Sequence, residues 1–281
     1  MSESATATTS AAPTIAFIGA GNMAGSIIGG LVANGHPSTN IIASDPTVGA
    51  LQTLADTYGI QTTTDNAVAV KQSDVVVLSI KPQIMQIVCE SIVDYISPET
   101  LTISIAAGIN CASLKLWLHK KQAIVRCMPN TPALVQAGAS ALFANKRVSE
   151  AQKTIAEHIL AAVGTVNWVA AETDIDAVTA VSGSGPAYFF LLIEAMIDAG
   201  VKQGLSRETA TTLASQTAFG AAKLALNSEV DVAELRRRVT SPNGTTAEAI
   251  ASFEENDFRS IVENAMLACA DRSRELAKEL G

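Results

Sequence analysis

The residues best suited to hold a small anion lie in one seven-residue run, Thr240-Ser241-Pro242-Asn243-Gly244-Thr245-Thr246. It follows a basic triplet, Arg236-Arg237-Arg238, and precedes a stretch with helical spacing. It holds hydroxyls, an amide and a glycine, but no His, Cys or carboxylate. Ser, Thr, Asn and Gly are what helix N-termini prefer, so one reading is a plain helix cap. The other reading is an anion site, because free N–H groups and the positive end of the helix dipole converge there. Such a site grips and orients a ligand and supplies no strong acid or base.

A second run, "IAFIGAGNMAGSIIGGL", sets Gly19-x-Gly21-x-x-Ala24 between a β-branched run and a helix-like stretch. This is the dinucleotide fingerprint in its confirming context. Gly19 permits the tight turn, Gly21 lets backbone approach a pyrophosphate, and Ala24 permits close helix–strand packing. The uncharged stretch Ile15 to Ala33, with Gly21, Gly25 and Gly29 four apart, also has the look of a membrane helix face. Its glycines and Asn22 argue against that. A second strand ends at Ser44-Asp45, about where an acidic residue would accept from a ribose 2′-hydroxyl. No Arg follows to hold a 2′-phosphate, so NADH is tolerated; alternatively Asp45 simply opens a turn before Pro46. "SIKPQ", with Lys81, and "AAG", Ala106 to Gly108, end further strands, and ligands of open α/β sheets bind beyond strand carboxyl ends.

These positions need a scaffold. β-Branched runs at Thr14–Ile18, Asn40–Ser44, Asp74–Ile80, Thr100–Ile105, Ala123–Met128, Ala139–Ala144 and Thr165–Ala170 alternate with helix-like stretches. That pattern implies βαβ units and a mostly parallel sheet. Near residue 171 the pattern becomes wholly helical and Ala-rich. The expected fold is α/β, a Rossmann-like dinucleotide-binding domain over residues 14–170 followed by an all-helical substrate-binding and dimerisation domain over 171–281. Residues 1–13, small and polar, read as a disordered tail rather than a secretory signal. The later helices are apolar on more than one face, so a partner subunit must cover them.

Composition excludes several classes. The 281 residues are 48% hydrophobic and 16% charged, with a formal charge of −8, which disfavours nucleic acid as a partner. Four cysteines without a Cys-x-x-Cys pair and only three histidines give neither a zinc site nor a disulfide framework, and suggest a reducing, cytoplasmic setting. No metal and no membrane partner are expected. Cys111 and Cys127 read as packing residues, and Gly183 and Gly185 as a bend.

The segment "LRRRVTSPNGTTAEAIASFE" resembles the signature of the pyrroline-5-carboxylate reductases. "AVSGSGPAYFFLLIEAMIDAGVKQGL", "RCMPNTPALVQAGASALF" and "FIGAGNMAGSIIGGL" resemble the same family, so the similarity runs from about Thr14 to the C-terminus. The resemblance implies NADPH- or NADH-dependent reduction of pyrroline-5-carboxylate to L-proline, the last step of proline biosynthesis. It also implies interlaced subunits, a homodimer with a larger ring such as a decamer left open, in which the loop of one subunit completes the site of the other. Cofactor contacts carry over to Ile18, Gly19, Ala20, Gly21, Asn22 and Met23, to Asn66, to Ser79, Ile80, Lys81 and Pro82, and to Ile105, Ala106 and Ala107; Ser44 and Asp45 join them. Substrate contacts fall on Glu172, Ser241, Gly244, Thr245 and Thr246, with the Thr246 hydroxyl as the catalytic group at the imine nitrogen. Two positions depart from the family pattern. Asn243 stands where some members have Gly, which bears on loop flexibility. Arg238 stands where some have a cofactor-contacting Asn; it meets a phosphate or belongs to a charged face. Two other readings are a β-hydroxyacid dehydrogenase-like oxidoreductase, which would want a Lys or His base where Thr154 to Val201 offers no Lys and only His158, and a non-catalytic dinucleotide sensor.

Overall fold

The computed structural model describes residues 12–280. Most of the expected tail lies outside them. Its end does not behave as a tail: Asn40 Nδ2 donates to the Ala12 carbonyl at 2.7 Å.

Two compact units form. The first, residues 12–183 with 270–280, is built on one eight-stranded sheet. Its strands are β1 (Ile15–Ile18), β2 (Ile41–Ser44), β3 (Gln61–Thr63), β4 (Val75–Leu78), β5 (Leu101–Ser104), β6 (Ala123–Met128), β7 (Gly138–Ala144) and β8 (Gly164–Trp168). The order is β3-β2-β1-β4-β5-β6-β7-β8, parallel throughout except for the β6–β7 pair. Order reverses beside β1, which places a ligand crevice beyond the carboxyl ends of β1 and β4. β1, β2, β4 and β5 are buried at every residue, as strands covered on both faces must be. Alternation sends Phe17 to one apolar core, with Ile27, Ile28 and Leu160, and Ile18 to the other, with Val76, Met85 and Ile92. β3 escapes a pattern search because its three residues, Gln-Thr-Thr, carry no apolar face.

The helices of this unit are α1 (Asn22–Ala33), α2 (Val48–Tyr58), α3 (Asn66–Lys71), α4 (Met85–Ile92), α5 (Cys111–Trp117), α6 (Glu150–Ala161) and α7 (Asp174–Val178). α1, at 12 residues, is too short to span a bilayer. The units divide at 183/184, later than the change of pattern at 171. Residues 171–183 are helical in pattern yet tied to the sheet unit: Glu172 bonds Arg126 of β6, and Asn130 bonds Ser182. The chain's last turns also belong there, Ser273 Oγ donating to Asp176 Oδ1 at 2.6 Å.

The second unit, residues 184–269, is helical throughout. It holds α8 (Gly185–Lys202), α9 (Arg207–Leu226), α10 (Val232–Arg238), α11 (Thr245–Glu255) and the start of α12 (Phe258–Leu280). Ala210 and Ala214 are buried, while Phe189, Phe190, Leu191, Phe219 and Leu226 stand more than half exposed. An apolar surface of this extent marks an interface. The helical stretch Asp174–Lys202 is also long and apolar enough to cross a membrane.

Candidate active site

At the end of β1 the chain turns through Gly19 at φ +100°, a conformation L side chains rarely adopt. A Cβ there would meet the Ser79 carbonyl oxygen at 2.5 Å. Ser79 Oγ donates to the Ile18 and Gly19 carbonyls at 3.0 and 2.9 Å, and Gly19 N–H donates to Ser44 O at 2.7 Å. The β1, β2 and β4 ends are thereby laced together.

α1 then begins at Asn22 with Gly21 as its N-cap and no side-chain cap. Among the described residues the N–H groups of Gly21, Asn22 and Met23 find no partner. A Cβ on Gly21 would meet nothing within 4 Å. Space, free donors and the dipole together fit a dinucleotide pyrophosphate.

Around this turn, Ser44 Oγ donates to Asn66 Oδ1 at 2.7 Å. Asp45 Oδ2 accepts from Ala20 N–H at 2.9 Å and Oδ1 from Thr47 N–H at 2.8 Å. Burial alone would raise the Asp45 carboxyl, but the Ala20 and Thr47 N–H groups, with the Thr47 hydroxyl, outweigh it and hold it below its usual value. Asp45 therefore fastens the glycine turn and opens its own turn at once.

A cavity of about 290 Å³ lies at the strand ends, lined by Met23, Ser79, Ile80, Pro82, Ile105, Ala106 and Ala107 together with Met128–Thr131 and Gly183. Lys81, at the edge of the same turn, is exposed. The structure thus gathers the residues expected from three separate strand ends. Met128, Asn130 and Thr131 were not among the expected site residues, although Pro129 and the Asn-Thr pair after an apolar strand mark a strand-end turn.

Glu172, expected at substrate, lies in the sheet unit. Its Oε1 accepts from Arg126 Nη1 at 2.9 Å and from Cys111 N–H at 2.6 Å. Arg126 is buried, and an arginine inside "AIVRCM" was a legible signal for this pair. The Cys111 thiol is pushed up to about 12, by burial first and the Glu172 charge second; Cys127 is pushed up to about 12 by burial. Both are packing residues.

The hydroxyl-rich run lies in the helical unit. α11 starts at Thr245, with Gly244 as N-cap and no side-chain cap. The Thr245, Thr246 and Ala247 N–H groups are without partners among the described residues, as are the Thr245 and Thr246 hydroxyls. Gly244 N–H donates to Ser241 O at 3.0 Å, and a Cβ on Gly244 would run into Ser241 Oγ. Asn243 takes φ +60°, a left-handed position that asparagine tolerates, so the turn keeps the shape a glycine would give it. Arg238 pairs with Glu234 Oε1 at 2.8 Å on an exposed helix face. Such a pair is weak enough to be surrendered to a ligand phosphate.

The sheet order, glycine turn and uncapped α1 define a dinucleotide-binding protein, whose second, helical unit has an apolar surface that calls for a partner. Residues 14–108 match the family model for NADP oxidoreductase, coenzyme F420-dependent, and residues 172–276 that for pyrroline-5-carboxylate reductase dimerisation. A pyrroline-5-carboxylate reductase of Pseudomonas aeruginosa is 59% identical, over 96% of this chain and 98% of its own. The structure of the Coxiella burnetii pyrroline-5-carboxylate reductase superposes with a TM-score of 0.91 at 43% identity, covering 95% of this chain and 99% of that one. That of the Plasmodium falciparum pyrroline carboxylate reductase, solved with NADP bound, gives 0.83 at 33% identity, over 95% and 99%. The chain belongs to the pyrroline-5-carboxylate reductase family.

Proposed function

We propose that this chain reduces pyrroline-5-carboxylate to L-proline with NADPH or NADH. The observation that carries the site assignment is the start of α11, whose first N–H groups and two Thr hydroxyls have no partner among the described residues, in a chain of this family. A protonated cyclic imine already accepts hydride well, so orientation matters more than acid strength. The Thr245 and Thr246 N–H groups grip the substrate carboxylate, with Ser241 and Gly244 shaping the turn. The Thr246 hydroxyl accepts from the iminium N–H and aims the ring. The strand-end cavity would hold the nicotinamide, which when bound would supply the hydride, and the Ile18–Met23 turn would hold its pyrophosphate. Ser44, Asp45 and Asn66 serve the ribose side, and Ser79–Pro82 and Ile105–Ala107 the ring side. Glu172 borders the substrate through its second oxygen, and Arg238 is free to exchange Glu234 for a phosphate. The helical unit's apolar faces are covered by a second copy rather than by a bilayer. The same reading extends to a homodimer in the cytoplasm without nucleic acid as a partner, and leaves open a larger ring such as a decamer.

The test is coenzyme oxidation, with NADPH and NADH side by side, on adding pyrroline-5-carboxylate. Oxidation with the imine, and no coenzyme reduction by 3-hydroxy acids, is expected. A folded protein that binds coenzyme without turnover would return the sensor reading.

A further inference from the structure

The 290 Å³ cavity has one wall that no expected residue explains. Met128 ends β6, and Gly183 lies flat against its thioether: a Cβ on Gly183 would run into the Met128 terminal methyl. Gly183 closes a π-helical turn, Thr179–Gly183. Such turns are rare and recur at functional sites. In an ordinary helix the Ser182 carbonyl would accept from the residue four positions on, which is Pro186 and has no N–H. Asn130 supplies the missing donor, its Nδ2 reaching Ser182 O at 3.0 Å. The other end of the same amide accepts from Ala139 N–H of β7 at 2.9 Å. Asn130 is 8% exposed, so water does not easily substitute for either bond.

We propose that Asn130 is a positioning residue for hydride transfer: it pins the Thr179–Gly183 turn so that Gly183 and Met128 form a fixed wall against the nicotinamide ring. The inference rests on the coenzyme reading above. Pyrophosphate affinity comes from the Gly19–Met23 turn, so loosening this wall costs orientation rather than binding.

Asn130→Asp keeps the acceptor for Ala139 and replaces the donor by a carboxylate facing a carbonyl. At pH above about 7 its kcat should fall roughly ten- to a hundredfold, the scale of a small misplacement of reacting groups. Its NADPH dissociation constant, measured by titration, should stay within about threefold. The fluorescence lifetime of bound NADPH should shorten as the ring gains freedom. The kcat deficit relative to wild type should narrow toward about pH 5, where a protonated carboxyl can donate to Ser182. Should Asn130→Asp not fold, Gly183→Ala tests the same wall. It displaces the Met128 methyl into the cavity and should lower kcat while leaving the NADPH dissociation constant within about threefold. Wild-type kcat and lifetime in the folded variants would overturn the proposal, as would equal losses in kcat and NADPH affinity. Failure of the wild-type protein to oxidise NADPH with the imine would instead overturn the coenzyme reading.

Discussion

Thr246 is the residue on which helix cap and substrate contact part company. A capping threonine bonds its own helix. The Thr246 hydroxyl bonds nothing among the described residues, and the N-cap position belongs to Gly244. Thr246→Val keeps the shape and removes the hydroxyl. Losing one hydrogen bond to a charged partner costs about 1.5–3 kcal/mol, or about one to two decades in kcat. The melting temperature should hardly move. Kinetics and thermal unfolding measured on one sample decide; wild-type kinetics with a lowered melting point would make the loop an ordinary cap. Asp45 carried two readings in the sequence, ribose acceptor and turn opener. Its contacts put the turn-opening role in place, Oδ1 accepting from Thr47 N–H and Oδ2 from Ala20 N–H, and each oxygen keeps a lone pair that a ribose hydroxyl could use.

At the scale of elements, the β1–α1 turn separates folding from binding within two glycines. Gly19 has φ +100° and no room toward Ser79, whereas Gly21 has ordinary extended backbone and open space. Gly19→Ala should destabilise the fold, by about 1–3 kcal/mol for the strained backbone alone. Gly21→Val should leave the melting temperature near wild type and abolish NADPH binding, its side chain occupying the pyrophosphate approach. Denaturant unfolding and coenzyme titration on both proteins check this. A Gly21→Val protein with unchanged NADPH affinity would remove the turn from the cofactor site. The fingerprint itself was legible because strand, turn and helix are contiguous in sequence. β3 was not, since a polar edge strand has no apolar period to read.

For the whole molecule, assembly and acid stability follow from what is covered. Leu191 is 66% exposed on α8, and burying such a side chain contributes about 1.5–3 kcal/mol. Leu191→Glu should shift sedimentation from dimer to monomer and remove turnover; an active wild-type monomer would sink the dimer proposal. His36 acts in the other unit. Burial lowers its pKa first and the His158 charge adds to this, while a backbone bond to Pro13 opposes them. A lowered folded value means that its contribution is whole above the ordinary value of 6.5 and is lost as pH falls through the lowered one. Wild type should therefore lose more melting temperature than His36→Asn between about pH 7 and about pH 5. Parallel curves would show that His36 titrates alike in both states.

What the sequence determined by itself was local. Apolar runs placed β1, β2, β4 and β5, glycine spacing placed the coenzyme turn, and hydroxyls before a helical period placed the start of α11. Each depends on neighbours within a few residues, where sterics and hydrogen-bond chemistry suffice. Tertiary structure decided which distant groups meet. Arg126 reaches Glu172 across 46 residues and Asn130 reaches Ser182 across 52. The helical residues 171–183 joined the sheet unit, although their pattern is that of the helices after them. Periodicity tells a helix which face to bury but not against which partner, because that choice is made by packing and by buried polar groups that must find donors and acceptors wherever the fold brings them.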